Sequence, residues 1–139
     1  MGKCLLIGRH KLLPAQERDI LEKLKCEDLI RVPHVEDIVR DVIERAKSEG
    51  VDKIIVQALP LSLMAQLLTH RERPDVYFLK MEGRGVVDSE EEAKEWVGQA
   101  SDRRIYLPPP PTGGGYRLVE YVGLFKQKRI VIEEEPIDC

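Results

Sequence analysis

The 139-residue chain contains no asparagine and few aromatic residues: two Phe, four Tyr and one Trp. It has three cysteines, Cys4, Cys26 and Cys139, which are far apart and form no C-x-x-C pair. An odd, scattered set of cysteines argues against a disulfide framework and against a zinc site, so we expect Cys4 to be a plain core residue. The absence of asparagine, together with abundant Glu, Lys and Arg, is typical of thermophile proteins.

Long apolar runs are absent as well. None approaches the ~18 residues of a membrane span, and the first residues do not resemble a signal peptide, which predicts a cytoplasmic protein without a membrane partner. The net charge of −3 argues against a partner such as long nucleic acid, so an anionic ligand needs a local basic cluster. The length and a hydrophobic content of 42% predict one globular domain.

Strand and helix patterns alternate along most of the chain. Apolar and β-branched runs predict strands at 4–7, 28–33, 53–58, 75–81 and 104–107. Helical spacing predicts helices at 14–25, 35–49, 61–70 and 90–100, the last opened by a capping box at Ser89 and Glu92. This alternation predicts an α/β fold with a Rossmann-like, doubly wound, mostly parallel sheet and helices on both faces.

The pattern changes after residue 107, where the predicted core (1–107) ends. The stretch 108–115 joins four prolines to a Thr-Gly-Gly-Gly segment, which predicts a linker or lid. Beyond it, β-rich segments at 116–125 and 129–134 flank a polar turn at 126–128. We therefore expect 116–139 to be a C-terminal β-hairpin extension of the same domain.

Three segments follow predicted strands and would meet at the carboxyl edge of the sheet. The first is Gly8-Arg9-His10-Lys11, in which Arg suits phosphate and His exchanges protons near neutral pH. The second opens the third helix, whose first-turn amides suit an anion, and comprises Gln57, Ala58, Leu59, Pro60 and Ser62. The third is Gly83-Arg84-Gly85, predicted to be a flexible basic turn after the fourth strand.

Each segment also has a plain structural interpretation: a solvated basic turn, an ordinary helix start or a surface turn. His34 follows the second strand and could join the same edge, although helix capping is its simpler role. Taken together, the segments collect basic and polar groups with no carboxylate nearby except Glu82. This composition favours a polyphosphate or nucleotide backbone as ligand over a metal-dependent hydrolase, because hard cations need several carboxylates.

The order of these motifs resembles the small stand-alone CRISPR-associated ring nucleases of type III systems, relatives of the CRISPR-associated Rossmann fold (CARF) sensors. The features that carry the resemblance are Arg9-His10 after the first strand, Leu59-Pro60 after a middle strand and Arg84-Gly85 before an acidic helix. The proline run and the C-terminal hairpin lie outside the match, and the predicted helix at 35–49 is longer than the family pattern.

The resemblance implies a ring nuclease that binds and cleaves cyclic oligoadenylate, most simply cyclic tetra-adenylate, and so switches off type III CRISPR signalling in antiviral defence. It implies a metal-independent reaction without a cofactor, in which Arg9, His10 and Arg84 are catalytic. The residues implied to contact the ligand are Gly8, Lys11, Gln57, Ala58, Leu59, Pro60, Ser62, Gly83 and Gly85.

A ring with two-fold symmetry suits a homodimer, the commonest homo-oligomer. Two other functions stay open at this point. One is a sensor or sponge that holds the ring without cutting it, and the other is a nucleotide-binding or interaction domain unrelated to CRISPR.

Overall fold

The computed structural model describes residues 2–131 and 133–137. Its strands are β1 (Gly2–Ile7), β2 (Cys26–Val32), β3 (Lys53–Val56), β4 (Asp75–Val87), β5 (Arg104–Leu107) and β6 (Tyr116–Gln127). Its helices are α1 (Pro14–Leu24), α2 (residues 39–49), α3 (Leu61–Thr69) and α4 (Glu90–Gly98). The first part of α2 is π-helical (Val39–Ile43) and the second part is α-helical (Glu44–Glu49). The strands form one mixed sheet in the order β2-β1-β3-β4-β6-β5, which confirms the predicted α/β class.

The first four strands form a parallel half with β1 inside it. β1 pairs with β2 on one side and with β3 on the other, and β3 pairs with β4. Leu5 and Ile7 pack in one core cluster with α2 and α3, whereas Cys4 and Leu6 pack in a second cluster with α1. All four side chains are at most 2% exposed. Because residues 4–7 of β1 are buried on both faces of the sheet, this run is apolar throughout and does not alternate with polar residues.

β4 continues well beyond the parallel half. Phe78 pairs with Val56, the last residue of β3, but β4 extends to Val87 with β6 antiparallel beside it. The prediction of a flexible turn that contains Gly83-Arg84-Gly85 is therefore wrong, because this segment is part of the strand. The pairing with β6 shifts register between Gly83 and Gly85, and Gly85 has a φ of 122°. We call residues 79–87 of β4, β5 and residues 116–124 of β6 the antiparallel arm.

The C-terminal segment forms one strand of the sheet and not an appended hairpin. β6 lies between β4 and β5, antiparallel to both, so the sheet is mixed, with three parallel and two antiparallel strand pairings. Lys126 and Gln127, expected in a turn, pair with Tyr77 and Val76. Residues 129–131, 133 and 134 form no strand, and position 132 lies outside the described residues. The prediction failed because a local strand pattern does not reveal which neighbour the strand pairs with.

The Pro/Gly segment at 108–115 is the loop that joins β5 to β6. Leu107 and Arg117 pair across it. A Cβ atom on Gly115 would clash with the carbonyl oxygen of Val87, so the loop passes close to the end of β4. This position is at the far end of the antiparallel arm, and the role of the segment as a linker or lid stays a prediction.

Side chains decide where two of the helices begin. The Asp41 carboxylate accepts the N–H groups of Glu36 and Asp37 at 2.9 and 3.0 Å, and α2 starts after these residues and not at the predicted position 35. Ser89 Oγ accepts the N–H of Glu92 at 3.2 Å, which confirms the predicted N-cap of α4. None of the helices in the described residues has the length and apolar character needed to cross a membrane.

Cys4 and Cys26 form a disulfide that links β1 to β2, with Cα atoms 5.8 Å apart. Both residues are buried, so Cys4 is a core residue as expected, but the expectation of no disulfide is wrong for this pair. The two cysteines approach because β1 and β2 pair in parallel, a contact that spacing along the chain does not reveal. Cys139 lies outside the described residues.

Candidate functional site

An open cleft of about 520 Å³ lies at the carboxyl ends of β1, β2 and β3. We call it the rim cleft; its lining residues are Gly8, Arg9, His10, Pro33, His34, Ala58, Leu59 and Pro60. The segments that follow β1 and β3 meet there because these two strands are neighbours in the sheet. The segment after β2 adds a second imidazole.

The side chains of Arg9, His10 and Lys11 are exposed next to the rim cleft. None of the three forms an ion pair or a side-chain hydrogen bond within residues 2–131 and 133–137. His34 differs, because its Nε2 lies 3.6 Å from a carboxylate oxygen of Glu36 and pairs with it when the imidazole is protonated. The loop after β1 therefore offers positive charge that pairs with no carboxylate of the described part of the chain.

Gln57 holds this loop in place. Its Nε2 donates to the carbonyl oxygen of His10 at 2.8 Å, and its backbone N–H donates to the carbonyl oxygen of Ile7, also at 2.8 Å. Gly8 has a φ of 140°, and a Cβ atom there would lie 2.7 Å from the Cβ of Gln57. Only glycine fits this close approach. Gln57, expected to contact a ligand, also positions the backbone of this loop.

Arg31 braces the same loop from β2. Its Nη1 donates to the carbonyl oxygens of Gly8 and His10, both at 2.9 Å, and to Oε1 of Gln57 at 3.0 Å. Charge-assisted hydrogen bonds of this kind are stronger than neutral ones. The sequence analysis missed Arg31, although a charged residue inside the apolar strand Leu-Ile-Arg-Val was a signal that could have pointed to it.

The segment after β3 reaches the rim cleft and then enters α3. Pro60 is the N-cap of α3, and no side chain caps its first turn. The first-turn amides of a helix have no intrahelical acceptor, which makes this turn a favourable neighbour for an anion. Ser62 is exposed at the second position of the helix, while Ala58, Leu59 and Pro60 line the cleft itself.

The third predicted segment does not join this site. Arg84 lies in β4, where its guanidinium donates to carboxylates of Glu82 at 3.2 Å and Glu120 at 3.4 Å. Phe78 pairs with the last residue of β3, and Arg84 lies six positions further along β4. Arg84 is therefore about 20 Å along the strand from the end of β3. Gly83, Arg84 and Gly85 therefore belong to the antiparallel arm and do not line the rim cleft.

A smaller cavity of about 130 Å³ adjoins the rim cleft. We call it the apolar slot; its lining residues are His10, Lys11, Leu13, Gln16, Gln57, Leu79, Met81 and Ile105. It lies between the loop after β1 and the antiparallel arm. The sequence analysis did not single out Gln16, Leu79, Met81 or Ile105, because they are distant in the chain and only the sheet order brings them together.

Within the part of the chain that the structure describes, no three or more His, Cys, Asp or Glu side chains are grouped so that they could hold a metal ion. Comparisons of the chain with protein families, with curated proteins and with solved structures gave no match. The interpretation of the site depends on its own geometry and chemistry.

Proposed function

We propose that the protein binds a cyclic oligoadenylate at the rim cleft and cleaves it by metal-independent attack of a ribose 2′-hydroxyl on the neighbouring phosphate. The observation that carries the proposal is the loop Gly8-Arg9-His10-Lys11, whose cations lack carboxylate partners among the described residues and whose backbone is fixed beside an open cleft. A phosphodiester brings negative charge to such a loop, and the fixed backbone lowers the entropy lost on binding.

Support for a doubly wound, Rossmann-like arrangement comes from the strand order of the parallel half. The order β2-β1-β3-β4 begins like that of flavodoxin-like sheets, in which ligands bind outside the carboxyl ends at the switch point between β1 and β3. The rim cleft lies at that point. The proposal thus places the ligand where open α/β sheets generally bind theirs.

In the proposed reaction the substrate supplies its own nucleophile. His10 takes the proton of a ribose 2′-hydroxyl, and the oxygen attacks the adjacent phosphorus. The P–O5′ bond breaks, and the leaving 5′ oxygen receives the proton back from His10. Arg9 stabilises the charge that develops on the phosphate. The ring opens to a linear product with a 2′,3′-cyclic phosphate and a 5′-hydroxyl.

The rim cleft is open on one side, and a cyclic tetranucleotide has two-fold symmetry. A homodimer would present two copies of the Arg9-His10-Lys11 loop to one ring, which is the economical arrangement for a symmetric ligand. Arg84 has no part in this version of the site, because Glu82 and Glu120 already bind its guanidinium. The proposal places the protein in the cytoplasm, where the messenger would be made.

A second function, sequestration of the ring without cleavage, is favoured by one observation. The imidazole of His10 has no hydrogen-bond partner within residues 2–131 and 133–137. A general base is usually oriented by a partner on its second ring nitrogen. Such a protein would act as a sensor or sponge with the same binding residues.

One experiment distinguishes cleavage of the ring from sequestration. The protein is incubated with cyclic tetra-adenylate and cyclic hexa-adenylate in EDTA, and the products are identified by mass spectrometry. Linear fragments support the nuclease, whereas an intact ring that binds tightly supports sequestration. The absence of binding at micromolar protein contradicts both. If cleavage occurs, His10→Ala should slow it about 100-fold or more, and a variant that cuts at the parental rate removes His10 from the mechanism.

A further inference from the structure

Gln16 is a buried polar residue that faces the apolar slot. It is 5% exposed and lines the slot from the first turn of α1. Its Oε1 accepts the N–H of Leu13 at 2.9 Å, the usual way in which a third-position Gln caps a helix. Helix capping therefore accounts for the hydrogen bond that the oxygen of this carboxamide accepts.

Helix capping gives no role to the NH₂ group of the Gln16 side chain. Within the described residues its Nε2 has one partner, the thioether sulfur of Met81 at 3.5 Å, and a thioether is a weak acceptor. A carboxamide NH₂ carries two donors, and a buried donor without a good acceptor costs free energy. The slot thus contains a hydrogen-bond donor that is better satisfied by a ligand atom than by the protein.

The rest of the slot is small and mostly apolar. Its walls include the side chains of Leu13, Leu79, Met81 and Ile105. Its volume of about 130 Å³ is close to that of engineered cavities of roughly 150 Å³ that take up benzene. One ring of a nucleobase fits within this volume, and the second ring of a purine extends beyond it toward the rim cleft.

His10 connects the slot to the rim cleft, because it lines both cavities. Gln57 lines the slot as well and holds the backbone of His10. A nucleotide whose phosphate lies beside Arg9 and His10 therefore has the slot directly adjacent for its base.

We infer that the apolar slot is a nucleobase subsite, with Gln16 as its specificity-determining residue; this rests on the proposed function, whose phosphates lie in the rim cleft. Nε2 of Gln16 donates to a ring nitrogen of the base, and the second lone pair of Oε1 accepts from an exocyclic amine. Gln recognises adenine through this donor–acceptor pair. The slot accordingly prefers adenine to unsubstituted purine, which has no exocyclic amine to donate to Oε1.

The first test asks whether a base enters the slot at all. Adenosine 5′-monophosphate and ribose 5-phosphate are titrated into the wild-type protein, and the methyl NMR signals of Leu79 and Ile105 are followed. We expect the nucleotide to shift both signals through the ring current of adenine, and the sugar phosphate to leave them in place. Equal shifts, or no shift with either compound, overturn the inference.

The second test asks whether Gln16 supplies a hydrogen bond to the base. Gln16→Glu keeps an acceptor for the N–H of Leu13 but removes the donor, and Gln66→Glu makes the same chemical change at an exposed position of α3. We expect Gln16→Glu to bind cyclic tetra-adenylate at least tenfold more weakly, because the donor to the ring nitrogen of adenine is lost. The Gln66 variant should match the wild type.

A variant that fills the slot guards against a folding defect at position 16. Ile105→Phe should weaken cyclic tetra-adenylate at least tenfold while a normal circular dichroism spectrum is retained. If no ring binds but the mononucleotide shifts Leu79 and Ile105, the proposed function fails and the subsite stands. If rings bind tightly and both variants bind like the wild type, the subsite is overturned and the proposed function stands.

Discussion

Arginine has different surroundings in the parallel half and in the antiparallel arm. At the rim of the parallel half, Arg9 forms no ion pair with any described residue. In the arm, Arg84 and Arg104 share the carboxylate of Glu120, and Arg104 also lies over the ring of Trp96 at 4.3 Å. Antiparallel pairing sets side chains opposite each other and so neutralises charge across strands. An arginine between glycines is therefore no sign of a ligand site until its strand partner is known.

The two regions also differ in what holds them together, because the parallel half contains the Cys4–Cys26 disulfide. We expect Cys26→Ala to lower the free energy of unfolding by about 3 kcal/mol, since the unfolded chain regains the entropy of a loop of this length. Denaturant unfolding at two salt concentrations measures the loss, which should not change with salt.

A reducing agent supplies the control for this prediction. It should destabilise the wild type by a similar amount and leave the Cys26 variant unaffected. Equal stability of the wild type with and without reductant would contradict a structural role for the disulfide.

Arg31 and Arg104 form a matched pair, one bracing the rim cleft and the other the arm. Arg31→Ala should lower the free energy of unfolding by about 2 kcal/mol, because it leaves the carbonyl oxygens of Gly8 and His10 without their charged donor. It should also weaken binding of cyclic tetra-adenylate, measured by calorimetry. Arg104→Ala should destabilise the fold without changing ring affinity; a loss of affinity in both variants would contradict the distinction.

The comparison of Arg9 with Arg84 tests the site directly. Arg9→Ala should raise the Kd for cyclic tetra-adenylate about tenfold, or about 1.4 kcal/mol, through the loss of one charge-assisted phosphate contact. Arg84→Ala should leave the Kd within about twofold of the wild type, because its partners are Glu82 and Glu120. If the two variants lose affinity equally, the arm contributes to the site after all.

The smallest expected effect is on stability at low pH, and each region contributes to it. The side-chain hydrogen bond from Arg40, together with two backbone N–H groups, holds the pKa of Asp41 well below its ordinary value of 3.8. Beside the arm, in α4, the hydrogen bond from the hydroxyl of Tyr106 in β5 and the charge of Lys94 lower the pKa of Glu90. A carboxyl group whose pKa is lower in the folded state than in the unfolded state adds to the free energy of unfolding at every pH above its ordinary pKa. This contribution disappears as the pH falls to the pKa of the folded state.

The thermal midpoint should accordingly stay level from neutral pH to about pH 5 and fall below about pH 4. Asp41→Asn and Glu90→Gln should each flatten that fall, as measured by thermal scans at a series of pH values. A steeper fall in either variant would contradict the direction assigned to that carboxyl group.

Local pattern predicted the parallel half well and the arm poorly. Leu5 and Ile7 belong to a run buried on both faces, so their strand is evident from composition alone. The pairing of Gly85 with Leu118 depends on a strand far away in the sequence, which no local pattern specifies. The same limit applies within the site: Arg9 and His10 follow a recognisable strand, whereas Gln16 looks like an ordinary first-turn residue of a helix.

The place of β6 in the sheet also sets the order in which the molecule can be assembled. β1, β2 and β3 find all their partners within residues 2–78, and this part can become ordered early. The arm cannot become ordered as early, because among the described residues β5 pairs with β6 alone. Residues 79–87 of β4 pair with the same strand. Until residues 116–127 have been synthesised, the 13-residue β4 presents a long unpaired edge of the kind that invites aggregation. Among the described strands, the one that comes last in the chain is thus the one that joins β5 to the rest of the sheet.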